Sequence, residues 1–207
     1  KPDLRFDLEI QDVTDIFRGS DFKIFANSIN TGSIVRAIPG KNCGSRAIAD
    51  KMNSWAQSQG APGMGYIIFS DGTAKGPIAN ALGSLKSDQL QKMFDLNNND
   101  ALFFCCSKEN DAADLAGKAR LKIANDLNMI DKNLFKFCWI VDYPMFEKNE
   151  KNNEIQFSHN PFSMPQGDLT EKEIENPLEL LAYQYDIVCN GIELSSGAIR
   201  NHKPELM

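Results

Sequence analysis

Tyr185-Asp186-Ile187-Val188-Cys189-Asn190-Gly191-Ile192-Glu193-Leu194-Ser195-Ser196-Gly197-Ala198-Ile199-Arg200 is the stretch on which the reading of this chain turns. Asn190-Gly191 is the dipeptide that best tolerates the positive φ angles of a tight turn, so the stretch reads as a β-hairpin. Pairing Cys189 with Ile192 sets Val188 opposite Glu193 and Asp186 opposite Ser195. Side chains alternate faces along a strand, so Asp186 and Glu193 share one face as diagonal neighbours. Two carboxylates that close repel unless a cation lies between them. Mg²⁺ carrying nucleotide phosphates suits such a pair, because it takes few protein carboxylates and fills its shell with waters and phosphate oxygens. Arg200 adds a planar fork for a carboxylate or phosphate. An ordinary hairpin with solvated charges is the alternative, and spacing alone leaves both open.

The same stretch resembles the segment ahead of the last signature motif in class II aminoacyl-tRNA synthetases, the aspartyl enzymes of bacteria in particular. Their pattern is Tyr-Asp, then Asn-Gly-x-Glu, then a Gly/Ser-rich run ending in Arg. Three further stretches follow the family's order. Lys1-Pro2-Asp3-Leu4-Arg5 resembles a Lys-Pro-Asp-Leu-Arg run. Trp139-Ile140-Val141-Asp142-Tyr143-Pro144-Met145-Phe146-Glu147 resembles a strand ending in Asp-(Phe/Tyr)-Pro. Ser158-His159-Asn160-Pro161-Phe162-Ser163-Met164-Pro165 resembles a His-His-Pro-Phe-Thr-x-Pro segment. Four matches in order across the chain are far more specific than any one.

The resemblance implies roles. Asp186, Glu193 and Ser196 would hold magnesium-ATP, with Asp186 and Glu193 as the Mg²⁺ ligands. Arg200 would face the side-chain carboxylate of bound L-aspartate, and His159 and Asn160 would lie close to the amino-acid pocket. The family has a second histidine where Asn160 stands; asparagine still donates and accepts hydrogen bonds but cannot be protonated. Strict alternation puts Arg200 on the face opposite Glu193, so the strand needs a bulge, and Ser195-Ser196-Gly197 is the expected place. The same bulge would turn Ser196 toward the metal. Bacterial relatives mostly have glycines at Ser195 and Ser196.

Composition sets limits. The 207 residues suffice for a core without staples, and 42% hydrophobic with 24% charged residues is ordinary for a globular protein. No apolar run approaches the ~20 residues that cross a bilayer. The five cysteines, Cys43, Cys105, Cys106, Cys138 and Cys189, lack metal-type spacing and read as reduced thiols of a cytoplasmic protein. A net charge of −6 without a basic cluster argues against this chain being the main tRNA clamp.

Three blocks differ in texture, giving an α+β reading. In residues 1–12 Phe6, Leu8 and Ile10 alternate with polar residues as in a half-buried strand, and the resemblance implies a catalytic-domain segment there. Residues 13–126 read as strands at 22–27, 33–38, 64–69 and 101–106 and helices at 46–57, 87–94 and 112–125, with Ser87 and Asp88 as a helix cap. This block resembles the GAD-type domain that bacterial aspartyl-tRNA synthetases insert into their catalytic domain, through phrases such as Gly60-Ala61-Pro62-Gly63-Met64-Gly65 and Gly76-Pro77-Ile78. Residues 127–207 carry a strand at 137–141, a polar insert at 147–154 and the hairpin, and would be the second, incomplete catalytic segment of an antiparallel-sheet domain. Phe103, Phe104, Phe135 and Phe137 read as core, and 148–153 as a mobile surface turn.

The 60–65 glycines follow a helix and precede a strand. A phosphate loop needs the opposite order, so a helix stop is the better reading. Asp142 reads as a turn cap or a substrate contact.

What the family resemblance implies is a ligase that activates L-aspartate with ATP and transfers it to tRNA(Asp); the residues leave open whether tRNA(Asn) is charged as well. No stretch resembles the family's second motif, no third motif follows, and there is no anticodon-binding barrel or dimer-forming first motif. The expectation is therefore a piece of a homodimeric enzyme, inactive in adenylate formation alone. The competing expectation is a tRNA-binding GAD module akin to an amidotransferase subunit, which would have no reason to carry residues 190–200. A structural scaffold with an incidental carboxylate pair is the third.

Overall fold

Alternation of apolar side chains along Asp100–Ser107 builds the largest sheet of the protein, whose computed structural model describes residues 1–149, 152–167 and 176–202. Along this strand Ala101, Phe103 and Cys105 enter one apolar cluster, whereas Leu102 and Phe104 enter another, so both sheet faces are covered. In chain order the elements are β1 (Gln11–Asp12), α1 (Thr14–Phe17), α2 (Lys23–Asn30), β2 (Ile34–Gly40), α3 (Arg46–Ser58), β3 (Gly65–Ser70), β4 (Thr73–Lys75), α4 (Pro77–Met93), β5 (Asp100–Ser107) and α5 (Glu109–Asp126). The strands lie in the order β1-β2-β5-β3-β4, every neighbour antiparallel. Ala49, Met52 and Ala56 of α3 and Ala116, Ala119 and Ile123 of α5 pack on one face. Phe17, Phe25, Ile29, Ile78 and Leu90 pack on the other. These elements belong to one compact unit, Phe6–Ile130.

Two sequence-based expectations fail within it. Residues 22–27 are not a strand; they belong to α2 and the residue before it. Phe25, Ala26 and Ile29 are buried at helical spacing, while Ile24, which a strand would place beside Phe22 and Ala26, is 70% exposed. Ser87 does not cap a helix either. α4 begins at Pro77 after Gly76, is kinked at Gly83 (φ 78°), and carries Ser87 buried in its interior. The glycines at 60–65 do stop α3, with Gly60 at φ 87°, and lead into β3. Phe6 and Leu8 are buried in the same core as α5, and the Arg120 guanidinium donates to the carbonyls of Phe6 and Leu8.

The second unit is discontinuous, Lys1–Arg5 with Asp131–Met207. It contains β6 (Phe137–Ile140), β7 (Tyr143–Pro144), β8 (Phe146–Lys148), β9 (Ile155–Phe157), β10 (Leu181–Ala182), β11 (Gln184–Cys189) and β12 (Ile192–Ala198). A three-stranded antiparallel sheet runs β12-β11-β6, and β10-β7 and β8-β9 form separate pairs. Residues 148–153 connect β8 to β9, with 150 and 151 outside the described residues. Phe135 and Phe137, expected in a core, are 69% and 59% exposed. Among the described residues of this unit none covers the face of β6 that carries Phe137 and Trp139, whereas Phe103 and Phe104 are fully buried as expected. Antiparallel open sheets with helices make the whole an α+β fold.

Candidate functional site

The hairpin has the predicted turn. Asn190 (φ 51°) and Gly191 (φ 82°) both adopt positive φ, and Cys189 pairs with Ile192 and Val188 with Glu193. The register then shifts: Ile187 pairs with Ser195 and Asp186 with Ser196, leaving Leu194 unpaired. The required bulge is therefore present, but at Leu194 rather than at 195–197. Its effect is to place Glu193 and Ser196 on the face that Val188 and Asp186 share. Continued alternation carries Arg200 to that face as well, and the ladder does continue, with Ile199 N–H bonded to the Tyr183 carbonyl at 2.9 Å.

Asp186 is 4% exposed and is the centre of a charged cluster. Its Oδ2 accepts hydrogen bonds from the Lys1 ammonium and the Tyr143 hydroxyl. The same ammonium lies 3.1 Å from Glu193 Oε2 and donates to Tyr143 Oη at 3.0 Å. A cation does stand between the two carboxylates, and it is a lysine. Asp186 Oδ1 is buried without a hydrogen-bond partner among the described residues. Burial pushes the Asp186 carboxyl up, but the bonds from Lys1 and Tyr143, with the nearby Ser196 hydroxyl, outweigh it and hold the group at about 2. The Asp186 carboxylate and then the Tyr143 hydroxyl raise the Lys1 ammonium above the ordinary lysine value, against its own burial.

Of the remaining predicted residues, His159 touches this cluster. The His159 ring packs edge-on against Tyr143, with centroids 4.9 Å apart, so it stands one ring away from Asp186. Asn160 Oδ1 accepts the Phe162 N–H at 2.8 Å and shapes the turn ahead of Pro161. Ser163 bridges Arg200, and Met164 N–H bonds the Ile199 carbonyl at 2.8 Å, which brings the 160–165 segment alongside Arg200. The Arg200 side chain is exposed, and no hydrogen bond or ion pair with the described residues engages its guanidinium. Asp142 adopts φ 58° at the end of β6 and accepts the Gln166 amide at 2.9 Å. Sequence reasoning missed Lys1 and Tyr143 as members of the cluster. Their signal was present, since both lie in stretches that carry the family resemblance, but only the fold reveals which carboxylate they meet.

Two carboxylates and the Ser196 hydroxyl on one antiparallel hairpin form a set of hard oxygen donors, and the guanidinium of Arg200, a group suited to anions, follows two residues beyond the second strand. Among the described residues no group of three His, Cys, Asp or Glu gathers as a metal site; Mg²⁺, satisfied by one or two carboxylates, fits the pair, with Asp186 Oδ1 still able to accept a ligand. The chain belongs to the tRNA synthetases of class II (D, K and N), whose family pattern matches residues 1–207. It is similar to an aspartate–tRNA(Asp/Asn) ligase of Rickettsia bellii (strain OSU 85-389), 55% identical over 214 residues, with 100% of this chain and 36% of the relative covered. The ligase of the same name in Zymomonas mobilis is 53% identical over 209 residues, with 100% and 35% covered, and that of Gluconobacter oxydans 50% over 209, again with 100% and 35%. The chain thus spans about a third of the length of these curated relatives. No helix among the described residues is long and apolar enough to cross a membrane.

Proposed function

We propose that this chain is part of an aspartate–tRNA ligase and supplies two of its binding functions. Asp186, Glu193 and Ser196 hold magnesium-ATP, and Arg200 reads the substrate side-chain carboxylate, with His159 and Asn160 beside the amino-acid pocket. The observation that supports this most is the bulge at Leu194, which sets Glu193 and Ser196 on the face of Asp186, the face to which alternation beyond β12 would also bring Arg200. Bound magnesium would neutralise phosphate charge as it develops. The reaction is attack of the aspartate carboxylate on the α-phosphorus of ATP with loss of pyrophosphate, then attack of a tRNA ribose hydroxyl on the aspartyl carbonyl with loss of AMP. Positioning and charge neutralisation suffice, without a protein nucleophile. A guanidinium pairs with both oxygens of a carboxylate, whereas asparagine offers one oxygen and an NH₂ donor facing donors; the fork therefore selects aspartate.

The whole ligase uses ATP, L-aspartate and tRNA and works as a cytoplasmic homodimer, whereas this chain alone forms no adenylate. The GAD-type insertion, residues 13–126, falls inside the compact unit Phe6–Ile130, and that unit expressed by itself should unfold in one cooperative transition; a disordered product would overturn the domain reading. The assignment of roles is tested in a full-length ligase carrying these residues by aspartate-dependent pyrophosphate exchange. Arg200→Lys should lower kcat/KM for aspartate about ten- to a hundredfold and spare ATP, because one of two charge-assisted bonds is lost. Glu193→Gln should weaken magnesium-ATP use instead. An Arg200→Lys enzyme altered only in its ATP terms would overturn the assignment.

A further inference from the structure

The Lys1 ammonium has three partners, Asp186, Glu193 and Tyr143, and an ammonium has three N–H donors. In this position it keeps no donor for a phosphate. It also fills the space between the two carboxylates, where a divalent ion bound at about 2.1 Å from its oxygens would have to lie. Its side chain is 31% exposed against 5% for Asp186, so the flexible stem can swing into solvent while the carboxylate stays in place. The backbone beneath it lies against the hairpin turn: a Cβ added at Gly191 would stand at ordinary contact distance, 3.6 Å from the Lys1 carbonyl oxygen and 3.7 Å from Asp3 Cβ. Asp3 is in turn gripped by Arg5, through Nε at 3.0 Å and Nη2 at 2.6 Å. The unpartnered Asp186 Oδ1 means that the ammonium does not exhaust what the carboxylate can bind.

We propose that Lys1 is a resident counter-ion of the metal site: its ammonium occupies the divalent-cation position between Asp186 and Glu193 and must leave it before a metal can bind. The inference rests on the reading of those two carboxylates as metal ligands. Without a counter-ion, a buried carboxylate beside a second one would destabilise the hairpin. With it, the acidic pair stays assembled at low metal concentration, and metal binding becomes an exchange whose apparent affinity is reduced by the lysine's occupancy. A metal that arrives with phosphates brings further negative charge, which offers the displaced ammonium a new partner.

The test uses the 207-residue chain and Mn²⁺ alone, with free Mn²⁺ followed by electron paramagnetic resonance. Lys1→Met should bind Mn²⁺ at least about tenfold more tightly than the unaltered chain, because the competing cation is gone. Adding Asp186→Asn should abolish that binding in either background. Thermal midpoints give an independent readout: in chelator Lys1→Met should melt below the unaltered chain, and Mn²⁺ should raise its midpoint by the larger increment. Lys1→Gln, neutral but still hydrogen-bonding, serves if Lys1→Met loses its native circular dichroism. Equal or weaker Mn²⁺ binding in the lysine variants, with Asp186→Asn still damaging, would overturn the counter-ion and leave the metal reading standing. No Asp186-dependent Mn²⁺ binding in any variant would overturn both.

Discussion

Each unit of the molecule buries an aspartate at a strand, and the two lean on different donors: Asp100 on main-chain N–H groups, with the Lys41 ammonium 3.6 Å away, and Asp186 on side chains. Asp100, at the start of β5, accepts the backbone N–H groups of Asn42 at 2.8 Å through one oxygen and of Asn97 at 2.9 Å through the other. Asp186, on β11, depends on the side chains of Lys1 and Tyr143, and one of its oxygens is left over. A carboxylate tied by main-chain donors cannot exchange them without unfolding the loop, so Asp100 is structural. A carboxylate tied by the tip of a lysine can exchange partners at little cost in structure, so Asp186 is suited to a ligand. The surroundings differ in the same sense. The Phe6–Ile130 sheet is covered on both faces by apolar clusters, whereas in the other unit Phe137, Trp139 and Ile192 are more than half exposed.

The largest effect should come from the doubly covered sheet. Phe104 is fully buried and packs edge-on against Phe17 at 5.2 Å, so Phe104→Ala should cost about 3–5 kcal/mol in urea denaturation. A loss below about 1 kcal/mol would mean that this core is looser than its burial indicates. Next come the aspartates. Asp100→Asn should cost about 1–3 kcal/mol, since an amide NH₂ then meets a backbone donor. Asp186→Asn should cost about 1 kcal/mol, because it keeps the Tyr143 bond and frees a lysine that is partly in water. The reverse ranking would break the distinction between the two.

The pH dependence should also separate the units. Burial raises Cys105 from 9.0 to about 12 and Cys43 from 9.0 to about 11. A raised folded-state value means stability that is complete below pH 9.0 and falls as pH rises toward those values. Asp186 is lowered from 3.8 to about 2, so its contribution is present above pH 3.8 and is lost as pH falls toward 2. Melting curves at both extremes check this, with Cys105→Ser flattening the alkaline limb and Asp186→Asn the acid one. The smallest effect should be at Trp139, 61% exposed, where Trp139→Ala should change stability by no more than about 0.5 kcal/mol.

Local chemistry made much of this legible in advance. Asn190-Gly191 gave away the hairpin through its backbone preference, and short apolar runs such as Ile67–Phe69 and Ala101–Cys106 gave away β3 and β5. Residues 22–27 misled because Phe22, Ile24 and Ala26 alternate over a short window in which a helical stripe can look the same; only burial of Phe25 and Ile29 separates the two. Phe135 and Phe137 misled because hydrophobicity announces a wish to be covered, not the layer that does it. A bulge was demanded by the spacing of Glu193 and Arg200, yet its place at Leu194 depends on pairing with β11. The lysine between the carboxylates was beyond reach, since Lys1 and Asp186 stand at opposite ends of the sequence.

That bulge makes the site sensitive to arithmetic as well as chemistry. Glu193 and Arg200 are an odd number of residues apart, and a regular strand sends odd neighbours to opposite sides. Leu194 absorbs the odd step by standing outside the count. A chain shortened by that leucine would reach the same arrangement with an unbroken ladder, whereas shortening by one more residue would turn Arg200 away from Asp186 with every ligand still in the sequence. In this hairpin, even and odd are inherited along with the residues themselves.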